Sequence, residues 1–507
     1  MQMQVAYDYE YQLAVADYWE GRPTMEPNVW VPALPLQMTV AAPASNTDLV
    51  VSSGGQQQLV QKSADHQHAV ELMFKEATQS LKHTVDKMEM KMHLFPASME
   101  VLAESYARPK MVSMGPYHHG DTPALQQMES IKHAAAGHFI DDSGCSIQEV
   151  YGSVCAVAGV ARSHYDADKL GDLSDDEFNP MMFFDGCFLL QYMLFWCKDD
   201  SGDDDGTAPP AVRVHPSLCS VFSANDSRIF CDLMLLENQL PWVVVDTLKN
   251  FMPGLDMKTF IGLVKTNSLH ARTALFYNPP ELDNSYIPPH LLGLLRYYIV
   301  GNTDNSTSAS QVEIDLTDKA EKVSISVSVI ELAEMGIEVT ANENKEELRK
   351  MCIEKSCFTG ELRLASVSLD DANASFLVNM AAFELCTTPD FAQVDDEMST
   401  VCSYLCLLGM VTDSVGDVQE LRNKHILEGG AGLTNEDALK LFNELEKHLR
   451  PGNSYYSIIR AIENYRSNRR PWIMFYRFCY RNRTAIIATL SAVAGLAGFL
   501  GTLKSFK

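Results

Sequence analysis

Met181 to Trp196 reads MMFFDGCFLLQYMLFW, a run of 16 residues whose apolarity is broken by Asp185, Gly186 and Gln191. Two environments accept such a run, a bilayer or a protein interior. It is shorter than the roughly 20 residues that cross a hydrocarbon core, and it contains an ionisable group, so it is read as a buried core helix. A helix that is apolar all round must be wrapped by other elements. The expected fold is therefore mainly α: a large helical globular body with minor β elements, plus one C-terminal transmembrane helix.

Outward from that run, Thr434 and Asp437 form a capping box. Ala438, Leu441, Phe442, Leu445 and Leu449 then share one face at helical spacing. Strand signals are fewer: Leu362, Leu364, Val367 and Leu369 alternate in part, as do Val323, Ile325, Val327 and Val329. The second run leads into Ile330 to Gly336, whose helix formers and terminal glycine suit a capped helix, so its period is ambiguous. Residues 1–65 combine several prolines with Gln56, Gln57 and Gln58 and lack periodicity, as expected of a disordered leader. The body is expected over 66–480, with Pro96 closing its first helical stretch. Asp199 to Pro210 and Gly301 to Ser310 read as exposed loops within it.

Lys and Arg number 40 against 66 Asp and Glu, a net charge of −26, which repels a phosphate backbone and makes nucleic acid an unexpected partner. The 12 cysteines are scattered, mostly among apolar residues, and read as buried thiols. None forms a CxxC, and Cys402 with Cys406, or Cys352 with Cys357, lacks the second ligand pair of a zinc site. No metal or cofactor is expected. The first ten residues have neither a basic n-region nor an apolar h-region, so no secretory signal is legible.

Thr484 to Leu503 (TAIIATLSAVAGLAGFLGTL) is 20 residues without a charge. As a helix it would be about 30 Å long, the thickness of the hydrocarbon core. Arg481 and Arg483 precede it, Lys504 and Lys507 follow it, and Trp472, Tyr476 and Tyr480 approach its N-terminal end. The expectation is a single-pass C-terminal anchor at a membrane, the plasma membrane being compatible. Seven arginines (460, 466, 469, 470, 477, 481, 483) before the span favour a cytosolic body. Ser491 with Gly495, Ala494 with Gly498 and Ala497 with Gly501 are small-xxx-small pairs suited to helix–helix self-association.

Three short blocks carry most of the remaining information. Val112 to Gly120 reads as an extended piece entering a tight turn at Gly115, Pro116, Tyr117, His118, His119 and Gly120. Adjacent histidines do not share a helix face and no HExxH is present, so they read as structural. The second block is Asp185, Gly186, Cys187 and Phe188. The third, Asp232 to Trp242, reads as an apolar helix that ends in Glu237, Asn238 and Gln239 before Pro241. Those polar groups, if buried, require hydrogen bonds.

These blocks, in this order, resemble the signatures of the plant proteins known as domain of unknown function 247. Weaker matches are Met128-Glu129 with Lys132, Arg162 with Tyr165, and His290-Leu-Leu. Glu334 to Ile337, Asn379 with Phe383-Glu384, and Asp417-Val418 with Leu421 extend the resemblance across residues 70–503. Many members have Asn-Pro-Trp before a terminal transmembrane helix, where this chain has Arg481-Asn482-Arg483-Thr484.

The resemblance implies a membrane-anchored protein of unknown molecular function. Some grass members are similar to self-incompatibility determinants, which implies recognition of an unidentified protein partner. The alternatives are a hydrolase using Asp185, Cys187, His118 or Glu237, and a structural membrane scaffold. No GxSxG, Walker A, GxGxxG or HExxH motif stands in a confirming context, so no catalytic residue is expected.

Overall fold

The computed structural model describes residues 72–75, 78, 88–197, 214–269, 280–301, 327–342, 347–356, 359–388, 390–391, 396–429 and 432–505, with side-chain surroundings as far as 496. The expected leader, the Asp199 to Pro210 loop, the polar stretch after Gly301 and the alternation at Val323 to Ile325 lie outside these residues. The chain divides into two units, Met1–Glu76 and Ala77–Lys507. The first contains a helical turn at 72–75.

The second unit is mainly helical. Its first half comprises α1 (Glu100–Tyr106), α2 (Pro123–Ser143), α3 (Ile147–Ser163), α4 (Ala167–Leu170), α5 (Asp175–Trp196), α6 (Pro216–Leu233), α7 (Trp242–Lys249), α8 (Met257–Leu269) and α9 (Leu291–Val300). The opening run lies in α5, which starts earlier because the Glu177 carboxylate accepts from the Ser174 N–H at 3.0 Å and caps the helix. α5 packs against α2, α3 and α7 and is buried almost continuously from Met181 to Leu194, as an all-round apolar helix must be. Pro96 does not close a helix; it precedes a short 3₁₀ turn, Ala97–Met99.

The second half holds α10 (Val329–Met335), three strands, α11 (Asp371–Thr387), α12 (Thr400–Val411), α13 (Val415–Asn423), α14 (Asn435–His448), α15 (Asn453–Asn468), α16 (Arg470–Arg481) and α17 (Arg483–Ser505). α12 is buried throughout and is covered by α11, α14 and α15. The capping box at Thr434 is present, and Ala438, Leu441, Phe442 and Leu445 face inward. The ambiguous alternation resolves as helix at Val329, since Ser328 and Glu331 form a capping box and Gly336, at φ +84°, ends α10.

Three strands, β1 (Ile337–Ala341), β2 (Cys352–Lys355) and β3 (Gly360–Leu364), pair in the order β1-β3-β2, parallel on one side and antiparallel on the other. A parallel pair of two-residue strands, β4 (Val367–Ser368) and β5 (Leu427–Glu428), completes the β content. Leu362, Leu364 and Val367 are buried, as their alternation required.

One further expectation is corrected. The helix expected across Asp232 to Trp242 stops at Leu233, because the side chains that follow bond to its last carbonyls and replace further helical turns. The Asn238 amide donates to Asp232 O (2.8 Å) and the Gln239 amide to Leu233 O (2.7 Å). At the C-terminus, the residues expected to span a membrane are helical. Among the described residues no single helix is long and apolar enough to cross one. A bent pair, Glu397–Val411 with Val415–Asn423, has the composition, but α12 within it is core.

Candidate functional site

The three sequence blocks, far apart in the chain, meet in one buried polar cluster. The extended piece Val112 to Met114 ends at Gly115, whose φ of +69° favours glycine. A Cβ there would also lie 2.5 Å from the Tyr165 hydroxyl. The Gly115 N–H instead reaches Asp185 Oδ2 at 2.8 Å. Asp185 Oδ1 lies 2.7 Å from Lys132 Nζ, a close ion pair without hydrogen-bond alignment, and Lys132 also bonds to Glu129 at 2.6 Å. Both Lys132 and Asp185 are withdrawn from solvent, at 0% and 1% exposure. Beside Asp185, Gly186 lets α5 and α7 approach: an added Cβ would fall 2.4 Å from Leu248 Cδ1.

The third block is the turn after α6. Asn238 clamps the extended piece, accepting from Met114 N at 2.6 Å and donating to Val112 O at 2.9 Å. Gln239 accepts from Leu292 N at 3.0 Å, and its backbone carbonyl accepts from the Tyr165 hydroxyl at 2.9 Å. Glu237 accepts from Phe95 N at 2.7 Å and from His118 Nε2 at 2.9 Å. The other His118 nitrogen meets Asp121 at 3.0 Å. Pro241 stands at the N-cap of α7. Tyr117 donates to Met92 O and accepts from Asp166 N, both at 2.9 Å. His119, with a side chain 41% exposed, is 4.0 Å from Glu129. Gly120 occupies a positive-φ turn, while Cys187 and Phe188 are buried core residues.

Electrostatics follow from this packing. Burial disfavours a charged His118, but its hydrogen bonds to Glu237 and Asp121 outweigh that effect and raise its pKa. Burial acts to raise Glu237, yet the bonds from His118 and Phe95 N hold it below its ordinary value. Burial likewise opposes the Lys132 ammonium, and Asp185 with Glu129 outweighs it and raises the pKa. Burial pushes Asp185 the other way, upward, despite Lys132; the close contact and the Gly115 N–H still favour an ionised pair. Burial raises the Cys187 thiol well above its usual range, away from the thiolate a nucleophile needs.

The weaker matches join the same cluster: Lys132 and Tyr165 as above, and Asn379, which accepts from Leu236 N at 2.8 Å. His290 caps α9 by accepting from Gly293 N at 3.1 Å. Glu384 takes the N–H groups of Val401 and Cys402 at the start of α12 and pairs with Arg296 at 2.6 Å. Sequence reasoning missed Asp232, whose carboxylate gathers the N–H groups of Lys110, Met111 and Val112 at 2.6–3.1 Å, and also Asp121 and Arg296. Asp232 and Arg296 carry no local signal of partners 88 to 122 residues away, whereas Asp121 stands three residues from His118, a spacing that could have marked it.

Beside Asp232 opens a cleft of about 260 Å³, flanked by Arg108, Lys110, Arg228, Asp371 and Cys231. Burial pushes the Cys231 thiol up to about 11, so it is not poised as a nucleophile. Among the described residues no group of His, Cys, Asp and Glu is arranged to hold a metal ion. Among the described residues Cys187, Cys402 and Cys406 are buried, as expected, whereas Cys352 is exposed.

The family model described as a plant protein of unknown function, DUF247, matches residues 92–497. The chain belongs to this family. The matched span contains every polar contact of the cluster, so the family's ordered blocks are, in this chain, the parts of one internal clasp. The chain is similar to the UPF0481 protein At3g47200 of Arabidopsis thaliana, 27% identical over 365 residues, covering 67% of this chain and 69% of that protein. No solved structure matches.

Proposed function

We propose that this family member is a membrane-anchored recognition protein: α17 attaches it to a bilayer and the helical body engages a protein partner. The observation that carries the anchor is the outward apolar row on α17, where Ile487, Leu490, Val493 and Leu496 are 58–64% exposed. Water solvates such a row poorly, and lipid would cover it. The arginines ahead of α17 favour a cytosolic body. We assign partner contact to the cleft at Arg108, Lys110 and Arg228; recognition of the self-incompatibility kind would be one instance of it. The signature residues are spent on internal bonds, which supports a binding role over turnover.

The tests are separable. Full-length protein should resist extraction by alkaline carbonate and require detergent; release without detergent would remove the anchor. Arg108→Glu with Arg228→Glu should weaken partner capture while leaving melting unchanged. If His118→Ala or Glu237→Ala instead abolished a measurable turnover without lowering the melting temperature, the hydrolase reading would replace this one.

A further inference from the structure

α16 buries Ile473 against the body and leaves a second apolar stripe exposed. Its arginines lie at the rim of the body: Arg481, 62% exposed, makes a bidentate pair with Glu334 of α10 at 2.8 and 2.9 Å, and Arg477, 45% exposed, approaches the same carboxylate at 3.4 Å. Tyr476 lies against Gly336. Met474, Phe475 and Phe478, which share a face by their i, i+1, i+4 spacing, are 71%, 58% and 63% exposed. An ordinary surface helix buries its apolar stripe.

Two further observations say what covers it. The outward stripe leads directly into the exposed apolar row of α17. Charge is also segregated: residues 460–507 carry seven arginines and two lysines against Glu463 alone, a surplus of eight positive charges. With a total of −26, the rest of the chain carries −34. A basic end suits an acidic surface such as an anionic bilayer, and pairing this stripe with the same stripe of a second copy would set basic end against basic end.

We infer that α16 is an in-plane contact with an anionic bilayer, its Met474, Phe475 and Phe478 set at the headgroup–acyl boundary while Glu334 holds Arg477 and Arg481 against the body. Trp472 and Tyr480 are residue types that favour this depth, and Arg470 and Arg483 can meet lipid phosphates. The inference rests on the reading that this end of the chain faces a membrane, and adds a surface that selects anionic lipid.

The experiment uses full-length protein in phosphatidylcholine vesicles with and without phosphatidylserine, the lipids brominated near the headgroup. Tryptophan emission should be quenched, more strongly with phosphatidylserine. Most of that quenching should vanish in Trp472→Phe and fall in Phe475→Ser with Phe478→Ser. Quenching that is the same in wild type and Trp472→Phe overturns the inference, even if carbonate resistance shows α17 still anchored. Protein released by carbonate but still quenched through Trp472 would remove the anchor and keep the α16 contact. A shift from dimer to monomer in Phe475→Ser with Phe478→Ser, with quenching unaltered, would make the stripe an interface between copies and also overturn it.

Discussion

Lys132→Met isolates the buried ion pair on which the clasp depends. The ammonium and the Asp185 carboxylate are 2.7 Å apart at 0% and 1% exposure. At an effective dielectric of about 20, two charges at that distance attract by roughly 6 kcal/mol, offset by the desolvation of both. Removing the lysine leaves Asp185 with the Gly115 N–H and no cation, and losing one partner of a buried pair costs about 3–5 kcal/mol. Domain stabilities are about 5–15 kcal/mol, so the variant should unfold at much lower urea and accumulate poorly. Adding Asp185→Asn removes the stranded charge while keeping an acceptor for Gly115, and should recover about 2 kcal/mol. Urea unfolding of the four proteins, followed by tryptophan emission and circular dichroism, gives the double-mutant cycle. A loss under about 1 kcal/mol for Lys132→Met, or a double variant no more stable than the single one, would refute the reasoning.

Gly115→Ala should destabilise by more than Gly186→Ala, because φ is +69° and the clash is with a hydrogen-bonded Tyr165 hydroxyl rather than a mobile Leu248 methyl; we expect about 2–4 against about 1–3 kcal/mol by thermal or urea unfolding. His290 and His93 are held by burial at about 3 and about 4. They stay neutral when folded and take protons when unfolded below pH about 6.5, so each should cost about 1.4 kcal/mol per pH unit as pH falls from 6.5 toward 4. His290→Asn, which retains a cap acceptor, should shed its share of that slope. His118 has the opposite sign: its raised pKa makes the Glu237 pair fully present below about 6.5 and lost as pH rises through the folded value. A His118→Gln variant whose urea midpoint keeps the wild-type decline above neutrality would contradict this. For topology, a cytosolic body predicts no endoglycosidase-sensitive mass shift. One that vanished on replacing Asn225 or Asn305 would reverse the orientation; Asn373, buried and bonded to Asp370, should stay unmodified in either case.

What the sequence by itself determined is what local chemistry and periodicity encode. The all-round apolarity of Met181 to Trp196 could only be a core helix at that length, and the capping box at Thr434 with its one-sided leucines specified α14. Gly115 and Gly120 marked turns because their backbone angles exclude other residues cheaply. The ordered blocks named the family. Tertiary structure decided how those blocks act together. That Asp185 needs Lys132, that His118 meets Glu237, and that Asn238 clamps Val112 and Met114 are facts of contact across about 50 to 126 residues, with no periodic trace. The same is true of α16: its pattern announces an amphipathic helix, but only the packing of Ile473 and Tyr476 on the body, with Glu334 pairing Arg481, leaves Met474, Phe475 and Phe478 outside.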